Sequence, residues 1–150
     1  MIIEEEIKQT KFKSIHQKVI LNLLFTANWI ENKQRELFEP FGITGQQYNI
    51  LRILRGQHPN RINGAEIRSR MLDKNSDVSR LLDRLISKNL IDRTSCPNDK
   101  RASHIGISHT GLLLLKQLDT EIERSEKKIL PHLSQEELTL LSNLLDRGRG

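Results

Sequence analysis

The sequence predicts a mainly α-helical (α+β) fold, in which a winged helix-turn-helix with a two-stranded wing lies between long N- and C-terminal helices. Three observations predict it. Residues 7–38 have a helical pattern, residues 75–111 have the order helix, strand, charged turn, strand and helix start, and residues 109–146 are again helical in pattern. A chain of 150 residues is long enough for one domain with its own core.

The N-terminal segment is predicted as one long helix from about residue 7 to residue 38. Its apolar residues recur at spacings of three and four: Phe12, Ile15, Val19, Leu23, Ala27 and Ile30. Pro40 and Gly42 are expected to end this helix.

Three later helices are predicted to begin at a capping box, in which a short polar residue is followed three positions later by Glu or Gln. The pairs are Thr44 with Gln47, Asn63 with Glu66, and Ser134 with Glu137. Because such pairs satisfy the free N–H groups of a helix start, helices are expected over residues 44–55, 63–71 and 134–146.

Residues 75–88 are predicted to form a basic amphipathic helix. Its buried face consists of Val78, Leu81, Leu82, Leu85 and Ile86. Asn89 follows where a left-handed residue often ends a helix. Exposed Arg and Ser residues on the other face are typical of a helix that lies in a DNA major groove.

A β-hairpin is predicted directly after this helix. Ile91 and Arg93 belong to its first strand, residues 96–99 have turn composition, and Ile105 and Ile107 belong to its second strand. Ser108 is the expected N-cap of a helix that continues until Pro131. A thin hairpin with basic residues near its tip can reach a minor groove or its phosphates.

The positive charge of the chain is concentrated in this part of the sequence. Residues 61–104 contain ten Lys or Arg and six Asp or Glu, which supplies four of the chain's formal net charge of +5. This concentration favours an anionic partner. Aromatic residues make up only 4% of the chain, which argues against stacking on single-stranded bases.

The segment NDKRASHIGISHTG resembles the wing of the MarR family of winged helix-turn-helix transcriptional regulators. The matching positions are Asp99, Arg101, Ile107, Ser108 and Gly111, and the upstream VSRLLDRLISKNLIDR is similar to the recognition helix of that family. The resemblance extends more loosely over nearly the whole chain. The family usually has Gly where this chain has Asn89.

Candidate DNA contacts follow from the pattern and the resemblance together. On the recognition helix they are Ser76, Ser79, Arg80 and Arg84, and in the wing Asp99, Lys100 and Arg101. The resemblance implies that Arg101 enters the minor groove and that Asp99 orients it. Arg61, Arg68 and Lys74 are generic phosphate candidates.

Each contact has a structural alternative. Ser76 would serve equally well as a helix cap, and Asp77, which would repel phosphate, is interpreted as a capping or orienting residue. Arg80 would instead pair with Asp77 or Asp83 along the helix. The Asp99–Arg101 pair would only tighten the turn.

The terminal segments carry more apolar residues than a small winged helix can cover. We therefore expect residues 1–40 and 109–150 to form dimerisation helices around a DNA-binding lobe at residues 41–108, although packing within one chain is the alternative. The resemblance implies a homodimer and a small aromatic or phenolic effector bound between these parts. His16, Trp29 and Tyr48 are the candidate pocket residues, with core packing as the alternative for the two aromatic ones.

The sequence contains no constellation that indicates an enzyme. A Gly-rich phosphate loop and a His-Glu-x-x-His motif are absent, and none of the five His residues forms an i, i+4 pair, so neither cofactor nor metal is expected. The single cysteine, Cys96, cannot form an internal disulfide, and an incidental surface thiol is its simplest interpretation. We expect a cytoplasmic protein with no membrane partner, because no signal-peptide pattern or spanning segment is seen.

These observations predict sequence-specific binding of double-stranded DNA, most simply by a ligand-responsive homodimeric repressor at a pseudo-palindromic operator. Two alternatives stay open. A nonspecific architectural DNA-binding protein would show a strong dependence on salt with little sequence preference. A winged-helix module for protein interaction would bind no DNA.

Overall fold

The computed structural model describes residues 1–96 and 99–150, and its side chains outside residues 95–102. The chain forms seven α-helices and one hairpin in the described residues, which confirms the predicted mainly α fold with a two-stranded wing. The helices are α1 (Ile3–Glu6), α2 (Ile15–Phe38), α3 (Gly45–Gln57), α4 (Gly64–Arg70), α5 (Val78–Ser87), α6 (His109–Ile129) and α7 (Gln135–Arg149). The strands are β1 (Ile91–Cys96) and β2 (Asp99–Ile107), and a 3-10 turn, Glu39–Phe41, follows α2.

The predicted N-terminal boundary of the long helix is wrong. Ile7 closes the short helix α1, and Lys8 has a φ of +52°, which no α-helix accommodates. The helix α2 begins only at Ile15, where the Ser14 hydroxyl accepts a hydrogen bond from the Gln17 N–H at 3.1 Å. Local turn and cap chemistry therefore prevails over the apolar spacing that Phe12 happens to continue.

All three predicted capping boxes are confirmed. The backbone N–H of the third helical residue donates to the cap side chain at 3.2 Å for Thr44, 2.9 Å for Asn63 and 3.2 Å for Ser134. The Gln or Glu side chain accepts from the cap N–H in return, at 3.1, 3.2 and 2.8 Å. A cap of this kind stabilises a helix by about 1 kcal/mol, so these helix starts are encoded locally.

The hydrophobic core lies where α3, α4 and α5 meet the base of the hairpin and the start of α6. Six side chains of this core are completely buried: Ile50, Leu51, Ile67, Leu85, Leu115 and Leu118. The two hairpin strands are antiparallel, with Ile91 opposite Ile107 and Arg93 opposite Ile105. Ile62 forms an isolated antiparallel β-bridge beside β2, because it exchanges two backbone hydrogen bonds with Ile105, at 3.1 and 2.8 Å.

The terminal helices leave much of their apolar surface uncovered. Helix α7 contributes no buried residue, and α2 buries only Phe38. The exposed apolar side chains of these two helices are Ile15, Val19, Ile20, Leu23, Leu24, Trp29, Leu140, Leu141 and Leu144. Within the described part of the chain, no helix has the length and apolar character that crossing a membrane requires.

Candidate nucleic-acid interface

The recognition helix α5 begins at Val78, three residues later than the sequence pattern suggested. Asp77 is its N-cap, and one carboxylate oxygen accepts from the Arg80 N–H at 3.2 Å. This agrees with the interpretation of Asp77 as a capping residue. The residues before it form a turn around Asp73, whose carboxylate accepts from the Asn75 N–H at 2.9 Å.

Ser76 is buried in the turn before α5. Its side chain is only 7% exposed, and its hydroxyl donates to the Asp73 carbonyl at 2.8 Å. Gln46, at the start of α3, donates to the same hydroxyl at 3.5 Å. In this conformation the turn before α5 uses the Ser76 hydroxyl to fix itself on α3, and the role of Ser76 as a DNA contact stays a prediction.

The remaining predicted residues of α5 lie on one exposed face. Ser79, Arg80 and Arg84 are exposed, whereas Val78, Leu81, Leu82 and Leu85 are buried on the opposite side. In the side chains that the structure describes, Arg80 forms no ion pair, and Asp83 instead accepts from Arg93 of β1 at 3.4 Å. The helix thus presents two guanidinium groups and a hydroxyl to a partner.

The C-terminal end of α5 is fixed by Lys88 and Asn89. Asn89 has a φ of +58°, which confirms the predicted left-handed stop, and Asn tolerates this conformation better than most residues. The Lys88 ammonium group donates to the Gly42 carbonyl and lies 3.4 Å from the amide oxygen of Gln47. The recognition helix is therefore attached to the corner between α2 and α3 as well as to its own core face.

Ser108 and Gly111, the last two residues of the wing signature, have structural roles at the start of α6. The Ser108 hydroxyl accepts from the Gly111 N–H at 3.0 Å and donates to the Asn89 carbonyl at 2.7 Å, which confirms Ser108 as the N-cap of α6. A Cβ at Gly111 would lie 2.2 Å from the Leu90 carbonyl oxygen, so only glycine allows this close approach. The start of α6 is thereby joined to the end of the recognition helix.

The predicted wing contacts Asp99, Lys100 and Arg101 have side chains outside the described residues. The generic candidates Arg68 and Lys74 are exposed, and the Lys74 ammonium group donates to the Ser69 carbonyl. Arg61, the third generic candidate, pairs with Asp92 of β1. Sequence reasoning missed this pair, because its partners are 31 positions apart and only the sheet brings them together.

A groove of about 740 Å³ lies between α2 and the recognition lobe, which consists of α3, α4, α5 and the hairpin. Glu31, Gln34 and Arg35 of α2 form one side, and the start of α3, the turn at Met71–Leu72–Asp73 and Arg84 form the other. Asn49 lies in this groove 5% exposed; its amide oxygen accepts from the Leu72 N–H at 3.0 Å, whereas its amide nitrogen has no partner. The groove therefore contains a buried donor that is not satisfied.

The predicted pocket residues His16, Trp29 and Tyr48 do not line this groove, nor the smaller one of about 590 Å³ beside Phe41. His16 and Trp29 are exposed on α2. Tyr48 is half-buried and stacks on Phe38 with a centroid distance of 4.7 Å, and burial raises the pKa of its phenol. For Tyr48 the alternative of core packing is the one observed.

No cluster of three or more His, Cys, Asp or Glu side chains with metal-binding geometry occurs in residues 1–94 and 103–150. The described residues of α5 present hydrogen-bond donors and positive charge on one exposed face, next to the base of a hairpin. Such an arrangement can recognise phosphates and base edges.

Comparison with known proteins agrees with this geometry. A sequence profile of the MarR family matches residues 41–102. A MarR transcription factor from Planctomyces limnophilus is 33% identical, with 91% of this chain and 98% of that chain covered and a TM-score of 0.71. The transcriptional regulator PecS from Dickeya dadantii is 28% identical over 79% of this chain and 72% of that protein.

Structures with DNA share the fold at lower identity. A mutant MarR from E. coli, solved with operator DNA, is 22% identical with a TM-score of 0.73, covering 97% of this chain and 96% of that chain. MepR from S. aureus, solved in a DNA complex, is 23% identical with a TM-score of 0.75, covering 91% and 96%. The family consists of transcriptional regulators and not of enzymes, as the absence of catalytic motifs had suggested. This chain belongs to the MarR family of winged helix-turn-helix proteins and is a DNA-binding transcriptional regulator.

Proposed function

We propose that this regulator is a ligand-responsive homodimeric repressor that binds a pseudo-palindromic operator. The observation that carries the proposal is the exposed face of α5, where Ser79, Arg80 and Arg84 lie together beside the base of the wing. Binding over a promoter would block transcription directly. Action on DNA also implies a cytoplasmic location.

In this proposal α5 lies in a major groove and the hairpin lies over the neighbouring minor groove or backbone. Arg80 and Arg84 would contact base edges or phosphates, because an arginine fork matches both guanine and phosphate oxygens. Arg101 would enter the minor groove with Asp99 orienting it, and Lys100 would contact a phosphate. Arg68 and Lys74 would add contacts that carry no sequence information.

The proposed dimer uses the terminal segments, residues 1–40 and 109–150, and leaves the lobe of residues 41–108 free for DNA. The exposed apolar side chains on α2 and α7 support it, since so much exposed apolar surface marks an interaction site. A twofold axis through these helices would place two copies of α5 in successive major grooves, about 34 Å apart.

The proposed effector is a small aromatic or phenolic molecule in the groove between α2 and α5. A phenolate or carboxylate oxygen would accept from the unpartnered Asn49 amide, which otherwise carries the cost of an unsatisfied buried donor. Arg35 and Arg84 would add positive charge nearby. Because the groove is formed by α2 and α5, a ligand that prefers one separation of these helices would shift DNA affinity.

The test starts from a randomised duplex library, from which the wild-type protein enriches a preferred duplex. Fluorescence anisotropy then compares this duplex with its scrambled sequence, using the wild type, Arg101→Ala, and Arg124→Ala as a control for the loss of one exposed positive charge on α6. We expect a preference of about a thousandfold, weakened by Arg101→Ala more than by the control. Titration of the complex with simple phenols tests release.

Two other outcomes would contradict the proposal. Equal affinity for the enriched and scrambled duplexes, with a steep dependence on salt, would indicate an architectural DNA-binding protein. Absence of binding to any duplex would indicate a protein-interaction module.

A further inference from the structure

Arg61 lies across the base of the wing. It precedes Ile62, whose backbone pairs with Ile105, so Arg61 is at the edge of the sheet next to β2. Its guanidinium group nevertheless pairs with Asp92 on β1, the far strand. The side chain therefore spans the whole width of β2 before it meets its partner.

Gly106 makes this path available. Gly106 is the residue opposite Asp92 in the hairpin register, and it is the point on β2 that Arg61 crosses. A Cβ at position 106 would lie 3.2 Å from Cγ and 3.3 Å from Cζ of Arg61. Contacts that short are tighter than ordinary van der Waals distances, so the absence of a side chain at Gly106 lets the arginine lie flat on the strand.

The other face of the wing is attached to the recognition helix. Arg93, the residue after Asp92, has its side chain on the opposite face of β1, because successive side chains alternate. It pairs with Asp83 of α5 at 3.4 Å. Asp92 and Arg93, which are adjacent on β1, thus attach the two opposite faces of the wing to other elements. Asp92 pairs with Arg61, and Arg93 pairs with Asp83 of α5.

We infer that Arg61 is a positioning residue, which holds the wing at the angle required for the wing and α5 to contact DNA together. The inference rests on the proposed DNA-binding function and concerns a residue that need not touch DNA itself. A wing fixed before DNA arrives loses less conformational freedom on binding, and this improves affinity without a new contact.

A direct phosphate contact is the competing role for Arg61, and the two roles predict opposite effects of Asp92→Asn. If Arg61 contacts phosphate directly, removal of the neighbouring negative charge frees the arginine and strengthens DNA binding. If Arg61 positions the wing, Asp92→Asn weakens binding to the preferred duplex, although the protein becomes more positive. Both side chains are substantially exposed, at 36% for Arg61 and 50% for Asp92, so their pair adds little to folding stability.

The experiment measures the affinity of the full-length protein for the duplex enriched from the random library and for its scrambled sequence. The variants are Arg61→Gln, Asp92→Asn, their double mutant, and Gly106→Ala, which changes no charge. The matched controls are Arg124→Gln and Glu121→Gln, an exposed ion pair on α6 with an N–O distance of 3.2 Å. Because α6 belongs to the proposed dimer, sedimentation equilibrium checks that each control variant associates as the wild type does. Thermal unfolding of each variant reports on stability.

We expect Asp92→Asn and Gly106→Ala each to weaken binding to the enriched duplex about fivefold, with unchanged unfolding temperatures and undiminished binding to scrambled DNA. The double mutant should be no weaker than Arg61→Gln alone, because both remove the same interaction. Glu121→Gln should not weaken binding.

Three outcomes would overturn the inference. Tighter binding by Asp92→Asn would assign Arg61 to phosphate. If the Arg61 and Asp92 variants change DNA affinity only as much as the control variants do, net charge alone explains the effect and the inference fails. The proposed function would still stand in that case, provided that the wild type prefers the enriched duplex. If the wild type enriches no duplex at all, the proposed function fails and the inference fails with it.

Discussion

The recognition lobe and the terminal helices treat their apolar residues in opposite ways. In the lobe, Ile50, Ile67 and Leu85 are completely buried within one chain. Three polar residues in or beside α5 pair with α3 or β1: Ser76, Asp83 and Lys88. On α2 and α7 nine large apolar residues are exposed, although the helices are long and well capped. The lobe buries its apolar residues within one chain, whereas the exposed apolar residues of the terminal helices support the proposed dimer.

The largest expected effect is on the folding stability of the recognition lobe. Leu85→Ala should lower the free energy of unfolding by about 3 kcal/mol, because it leaves a cavity at a completely buried position of the recognition helix. Urea unfolding followed by circular dichroism measures this. Leu72→Ala is the matched control, since Leu72 is 83% exposed, and it should change stability by less than about 0.5 kcal/mol. Similar losses for both variants would show that the lobe is not the cooperative core.

A smaller effect is expected on the association of two chains through the terminal helices. Leu24→Glu should weaken the proposed dimer about 30-fold, or about 2 kcal/mol, because a carboxylate would be buried in an apolar interface. Sedimentation equilibrium measures the association. Leu72→Glu introduces the same charge at an exposed leucine of the lobe and should leave the dimer intact. A monomeric wild type, or equal effects of both variants, would contradict the assigned interface.

The features that sequence predicted correctly are those encoded within a few residues. The capping boxes at Thr44, Asn63 and Ser134, the left-handed Asn89 and the N-cap Ser108 each depend on neighbours along the chain. The buried face of α5 followed from helical periodicity. Local chemistry was therefore sufficient for the order of elements and for which face of α5 is exposed.

The features that sequence missed depend on residues distant along the chain. Ser76 is buried because Gln46, 30 positions earlier, packs on its turn, and Arg61 meets Asp92 only through the sheet. The resemblance implies an effector between the terminal segments and the DNA-binding lobe, but Asn49, which lines the groove between α2 and α5, is not among the predicted pocket residues. A polar residue on the buried side of α3, between apolar neighbours, was the available signal. His16, Trp29 and Tyr48 are predicted as pocket residues from side-chain type, which does not tell which face of α2 or α3 borders the groove.

The most direct test asks whether the terminal helices join two DNA-binding lobes, and it varies the spacing between the two half-sites in the DNA. If terminal helices hold two lobes at a fixed separation, insertion of about five base pairs between the half-sites of the enriched duplex turns one half-site to the opposite side of the helix. We predict that affinity measured by fluorescence anisotropy falls at least about tenfold, and that insertion of a full turn, about ten base pairs, weakens binding less. Equal affinity for all three duplexes would contradict the account, because it would show that each lobe binds DNA independently of a partner.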